Sequence, residues 1–285
     1  MTKIIFTSDI HYPITSTEKV EELISHIASE NPNILILGGD IAENIRENHR
    51  FDFPYLRWCL SKFKDAVKCP ILAFAGNHDL WTGTRFTNDS QAIWNILPSV
   101  FKNEGIIYLE QTENSEGWYR IEDIMILGSY LHYDYSAAEK IGPTAGYTDK
   151  YWAVNKKNVN NDGNFMFGLP NDKLFAKQLS DKLRNNLINA ENNSDIRRIM
   201  IATHVPCMEK QITRKPYDLQ WALATPYFGN LSIQDDILHS KKVTHVLSGH
   251  SHTHEDHVIF SKNDREIRVI TNGSDYGRPV YQIIT

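Results

Sequence analysis

The chain alternates short, wholly apolar runs with longer segments of helical periodicity. Five runs stand out: "KIIFT" (3–7), "ILIL" (34–37), "ILAFA" (71–75), "RIMIAT" (198–203) and "KVTHVLS" (242–248). Runs of this length without strict polar alternation mark strands buried on both faces. Between them, residues 17–30 place Val20, Leu23, Ile24 and Ile27 on one side of a helix, and 52–65, 88–101 and 171–190 carry similar patterns. Strand–helix–strand alternation predicts an α/β layer fold with helices packed on a sheet. "MILGSYL" (125–131) reads as a further buried strand, and 258–271 and 279–284 as strands joined by the turn-rich "KNDRE" and "NGSDYGRP". "NVNNDGN" (158–164) is polar and glycine-containing, which predicts a surface loop. No repeat, low-complexity tract or linker breaks the pattern, so the expectation is a single domain over residues 1–285.

The five runs end alike. Ser8-Asp9-Ile10-His11, Gly38-Gly39-Asp40, Gly76-Asn77-His78-Asp79, His204-Val205-Pro206 and Gly249-His250-Ser251-His252 each follow a predicted strand at once. Ligands of an open α/β sheet bind outside the carboxyl ends of its strands, so these clusters aim at one rim. Taken singly they say little: an Asp after a strand often caps a helix, and one His there is commonly structural. "GNHD" says more, because turn chemistry asks for Gly and Asn but not for His. Five such ends in one chain are not five unrelated turns.

The residue types narrow the chemistry. Imidazole, carboxylate and one amide oxygen, without thiolate, suit Zn, Fe, Mn, Co or Ni. Asp9, His11, Asp40, Asn77, His204, His250 and His252 make seven candidate ligands. That is more than one ion needs and fits two divalent or mixed-valence ions sharing a bridging carboxylate, the arrangement that clamps an in-line displacement at phosphorus. Two divalent ions bring four positive charges and Asp9 and Asp40 return two. The remainder suits a phosphate ester and a metal-bound hydroxide.

Composition sets the outer limits. The chain has 285 residues, 41% of them hydrophobic, and a formal net charge of −5. That is ample for a sizeable core, and it argues against a general grip on nucleic acid or anionic membrane, which asks for a basic excess. The three cysteines, Cys59, Cys69 and Cys207, are scattered and read as reduced thiols. No apolar run reaches the roughly 20 residues of a membrane span. "MTKIIFTSDIH" has neither the apolar region nor the small-residue cleavage site of a signal peptide, so the expected location is the cytoplasm.

In order, "SDIH", "GGD", "GNHD", "THVP" and "GHSH" resemble the five blocks of the calcineurin-like metallophosphoesterases, from residue 8 to residue 252. The resemblance implies a four-layer α/β sandwich, with two mixed sheets flanked by helices and a dinuclear metal site at the strand C-terminal ends. One ion would be held by Asp9, His11 and His252, the other by Asn77, His204 and His250, with Asp40 bridging. His78 would act as general acid or phosphate clamp, oriented by Asp79. Ala75 stands where the protein Ser/Thr phosphatases of the superfamily carry Arg. His78 stands where its lipid-precursor hydrolases often do. The expectation is a phosphodiesterase acting on a small soluble or nucleotide-type substrate by attack of a metal-bound hydroxide. The alternatives are a phosphomonoesterase or protein phosphatase, a nuclease, and a non-catalytic scaffold. The intact ligand set speaks against the last, and the acidic charge against stable binding of long nucleic acid.

Other residues leave two readings open. His132 and Tyr133 either line the pocket or sit in an exposed loop. Trp152, with Tyr147 and Tyr151 in "GYTDKYW" (146–152), forms a satellite hydrophobic cluster or a base-stacking surface. His254 and His257 read as residues at the rim of the site, and His245 as core.

Overall fold

The apolar runs are strands because each can bury both faces, and the computed structural model, which describes residues 2–43, 52–82, 90–112 and 115–285, shows what covers them. The first sheet takes β1 (Ile4–Thr7), β2 (Ile34–Gly38), β3 (Ile71–Phe74) and β4 (Ile107–Tyr108) as parallel neighbours. β5 (Gln111–Thr112) and β6 (Ser115–Glu116) pair as a small hairpin. The second sheet is built from β7 (Trp118–Ile121), β8 (Ile124–Ser129), β9 (Arg198–Thr203), β10 (Val243–Ser248), β11 (His254–Phe260) and β12 (Glu266–Asn272). β13 (Tyr281–Ile284) returns to the first sheet, antiparallel to β1. The orders are β13-β1-β2-β3-β4 and β11-β12-β10-β9-β8-β7. Both sheets are mixed, with antiparallel pairs only at their margins.

Alternate residues of each strand serve different layers, as the period of two requires. Ile4, Phe6, Ile34, Ile36, Leu72 and Phe74 meet Ile126, Met200, Ala202, Leu247 and Ile270 between the sheets. Ile5, Leu35, Leu37 and Ala73 face the other way, onto α1 (Thr17–Ser29), α2 (Pro54–Ala66) and α3 (Ser90–Asn103). The outer face of the second sheet, with Ile199, Ile201 and Val246, is covered by α6 (Asp172–Asn192) and α8 (Gln234–His239). This is the four-layer arrangement expected, and it explains why the strands read as unbroken apolar runs.

The predicted helices stand within a few residues of their expected ends; residues 88 and 89 of the third lie outside the described residues. "GYTDKYW" opens α4 (Asp149–Val159), capped by Thr148, whose side chain accepts from Tyr151 N. Trp152 is buried and its carbonyl accepts from Tyr227 Oη, so it belongs to the core and offers no stacking surface. The loop expected at 158–164 is largely helical: α4 runs to Val159 and α5 spans Asp162–Phe165. Its Asp162 is completely buried. α7 (Leu219–Ala224) completes the helices. No helix among the described residues is long and apolar enough to cross a membrane.

Candidate metal centre

β1, β2, β9 and β10 deliver their polar ends to one rim, and the backbone turns sharply there. Asp9, His11, Asp40, His250 and His252 all have left-handed backbone, with φ between 51° and 70°. For non-glycine residues each such turn costs about 1 kcal/mol or more and persists only where surroundings enforce it. The enforcement is visible. Asp9 N donates to Gly39 O and His11 N to Asp40 O, which ties the first two strand ends together. His78 N donates to Asp40 Oδ1 at 2.8 Å and His250 N to Asp9 Oδ1 at 2.9 Å. Two glycines allow these approaches. A Cβ on Gly76 would stand 2.1 Å from Asp40 Oδ1, and one on Gly249 2.3 Å from Asp9 Oδ2.

All seven predicted ligands converge. Asp9, His11 and His252 bring ligand atoms within 4.8 Å of one another, as do His11, Asp40 and His78, and Asp40, His204 and His250. Asp40 Oδ2 sits centrally, 3.4 Å from His204 Nε2, 3.8 Å from His11 Nε2 and 3.9 Å from His78 Nε2. Asn77 Oδ1 lies 3.0 Å from both His204 Nε2 and His250 Nδ1.

The far side of each imidazole decides what the near side offers. His11 Nδ1 faces Glu43 Oε1 (2.8 Å), His252 Nδ1 faces Asp275 Oδ1 (3.2 Å), His204 Nδ1 faces Gly38 O (2.9 Å) and His250 Nε2 faces Tyr227 O (2.8 Å). Carboxylates and carbonyls only accept, so these far nitrogens carry the protons. Four near nitrogens, two aspartate carboxylates and an amide oxygen then direct lone pairs at one small space. This donor set, with outer partners fixing each ring, fits divalent metal ions.

The electrostatics show the same pull on positive charge, with protons competing for these lone pairs. Burial opposes charge on His204, yet Asp40 prevails and holds its pKa up at about 9. Burial, together with the charge on His204, holds His250 down at about 4. Asp40 stays ionised against burial because His204 and His78 face it. The site attracts positive charge.

The hydrogen bonds described for Asp79 do not run to His78. The Asp79 carboxylate accepts from Ile41 N, Ala42 N and Gly76 N, tying the turn after β2 to the turn after β3. Burial and the Asp40 charge push its pKa up to about 7 against those donors. The carboxylate beside His78 is Glu43, whose Oε1 lies 2.7 Å from Nδ1, off the line of a good hydrogen bond. Glu43 is buried, yet its hydrogen bond to His11 and the close approach of His78 hold its pKa down at about 2. It lies only three residues after Asp40 in "GGDIAE", but nothing in that spacing signals contact with two histidines.

Other residues find their places. Trp81 stacks on His78 (centroids 3.6 Å apart), and Tyr276 packs 4.4 Å from His11 and 5.0 Å from His252. A cleft of about 290 Å³ opens onto His78 and the ligand cluster, with Trp81, Asn160, Asn161, Phe228 and Tyr276 in its walls. His132 and Tyr133 are buried outside that lining: His132 binds Tyr130 Oη and Asp172, and Tyr133 Oη donates to Asp162. His254 and His257 lie on β11, where His254 contacts Thr271 O and His257 contacts Glu255. His245 lies half-buried on β10.

The family model described as calcineurin-like phosphoesterase matches residues 2–254. Among solved structures, a phosphopantetheinyl hydrolase from Mycobacterium tuberculosis is 18% identical with a TM-score of 0.70, over 97% of this chain and 90% of the other. A dimetal phosphatase from Danio rerio is 11% identical with a TM-score of 0.51, over 94% and 86%. At these identities the likeness establishes a shared fold. No curated protein matches the chain.

Proposed function

The chain belongs to the calcineurin-like phosphoesterase family and hydrolyses phosphoesters with divalent metal ions, and on that footing we propose that its substrate is a small phosphodiester. The observation that carries the residue assignment is the convergence of lone pairs enforced from behind each ring. Asp9, His11 and His252 would hold one ion and Asn77, His204 and His250 the other, with Asp40 available to both. Bound ions would polarise the phosphoryl oxygens and make water a nucleophile at neutral pH.

The chain's own groups do the rest. His78 lines the cleft with its Nε2 3.9 Å from Asp40 Oδ2, which supports its reading as the group that protonates the leaving oxygen. Glu43 and the Trp81 ring hold that imidazole in place. Asp79 acts one step further out, by joining the turns that carry Asp40 and His78.

Charge supports a diester. Counted over the ligands alone, two divalent ions against Asp9 and Asp40 leave two positive charges, and an anionic nucleophile takes one. The described lining of the cleft adds no Lys or Arg to meet the second charge of a monoester. Ala75, fully buried behind the site, adds none either. The cleft's size suits a small molecule, and its Trp81, Phe228 and Tyr276 suit a group with an apolar face. Both sheets supply one site, which supports reading the chain as one domain. Three free thiols, two of them buried, suit a cytoplasmic enzyme.

The test compares bis(p-nitrophenyl) phosphate with p-nitrophenyl phosphate on the Mn-loaded enzyme. A higher kcat/KM is expected for the diester. A strong monoester preference would place the protein with the phosphatases.

A further inference from the structure

The first residue of α5 places a carboxylate behind one of the proposed metal ligands. Asp162 is completely buried, and its Oδ1 accepts from Asn77 Nδ2 at 2.9 Å and from Trp81 Nε1 at 2.6 Å. Its Oδ2 accepts from Tyr133 Oη at 2.9 Å. Three donors from two parts of the chain, the turn after β3 and Tyr133, therefore end on one side chain. Two of them belong to the site: Asn77 directly, and Trp81 through the ring on which His78 stacks.

We propose that Asp162 is a positioning residue that sets which end of the Asn77 amide faces the metal centre. An amide's two ends are nearly the same size, so packing alone does not choose between them; hydrogen bonding does. A carboxylate only accepts, so it fixes the NH₂ end of Asn77 behind the site. The oxygen then points forward, 3.0 Å from His204 Nε2 and His250 Nδ1. The opposite orientation would set NH₂ against the ion and the amide oxygen against a carboxylate.

The backbone around Asp162 keeps it there. Asp162 N donates to Asn160 Oδ1, and Thr82 N donates to Phe165 O, which ties α5 to the stretch after His78. Asn160 and Asn161 also wall the cleft. One segment thus shapes the substrate's surroundings and orients a ligand.

The inference rests on the ligand assignment proposed above, and the test separates the two. Calorimetric titration of the metal-free protein with Mn²⁺ should show two steps, of which Asn77→Ala removes the one belonging to the Asn77 site. Asp162→Ala should weaken that step by about 10–100-fold, the usual effect of losing an outer partner of a metal ligand, and leave the other step within about threefold. Asp162→Asn keeps an oxygen for Asn77 and Trp81 and should bind nearly as the parent does.

Asn77→Asp supplies the decisive background, because a carboxylate presents oxygen whichever way it turns. There Asp162 orients nothing and only repels, so Asp162→Ala should tighten the same step. Asp162→Asn should tighten it too, which keeps the test available if Asp162→Ala does not fold. A residue serving structure alone would act in the same direction in both backgrounds. That result, or an unchanged step in Asp162→Ala, overturns the inference. A single Mn²⁺ step in the parent protein would instead overturn the assignment on which it rests.

Discussion

His11 Nε2 lies 3.1 Å from His252 Nε2, two ring nitrogens brought together across 241 positions of sequence. Glu43 and Asp275 hold the opposite nitrogens of the same rings. With both rings neutral, neither near nitrogen has a proton to share and the two lone pairs face each other. A cation shared between the two rings relieves that contact, and a divalent ion does so for both at once.

Metal removal should therefore destabilise the fold as well as stop turnover. An ion present at 100 times its dissociation constant stabilises the native state by about 2.7 kcal/mol. Stripping with a chelator should lower the thermal midpoint by several degrees, at about 2–4 °C per kcal/mol for a chain of this size. Elemental analysis after Mn loading should give about two ions per chain. One ion with full activity would refute the two-site arrangement.

His78→Ala should retain both metals and lose about 10²–10⁴-fold in rate on an alkyl ester. It should lose far less on a nitrophenyl ester, whose leaving group departs without a proton. Glu43→Gln should show the same pattern more mildly and also loosen the ion beside His11. An equal loss on both esters, with metals retained, would assign His78 to clamping phosphate.

Asp79→Asn separates the two carboxylates. Because Asp79 accepts from Ile41 N, Ala42 N and Gly76 N, the variant should lower the melting temperature and the rates on both esters in parallel. A selective loss on the alkyl ester would restore Asp79 as the partner of His78.

Gly249→Ala places a methyl 2.3 Å from Asp9 Oδ2. The carboxylate must move, so the variant should lose affinity chiefly for the ion of Asp9, His11 and His252. Mn²⁺ titration of the purified variant checks this. Equal weakening of both ions would point to a general disturbance of the rim.

His245 provides a pH-dependent stability away from the metals. Burial, with Arg268 and Arg198 nearby, holds its folded pKa at about 4, against 6.5 in the unfolded chain. The native state refuses a proton that the unfolded state accepts. Its contribution is complete above pH 6.5, falls as pH drops towards 4, and is level below that. Allowing for partial exposure, the loss is about 2 kcal/mol. His245→Gln should flatten the fall in thermal midpoint between pH 6.5 and 4; an unchanged slope would exclude His245 as its source.

What the sequence by itself determined was the scaffold and where its chemistry lies. Strands buried on both faces must be apolar throughout, so β1, β2, β3, β9 and β10 could be read directly, and a ligand-bearing turn follows each within a few residues. These are local facts, written in consecutive letters. Only the tertiary structure decided what stands behind the ligands. Glu43 meets His11 across 32 positions and Asp162 meets Asn77 across 85. "NVNNDGN" looks polar enough for the surface, and its aspartate is buried because three donors from elsewhere converge on it. Asp79 adjoins His78 in sequence, yet the turn after β3 sends its carboxylate to backbone N–H groups instead. A hydrogen-bond partner is chosen by position in space, and neighbouring letters do not encode the direction in which a side chain leaves a turn.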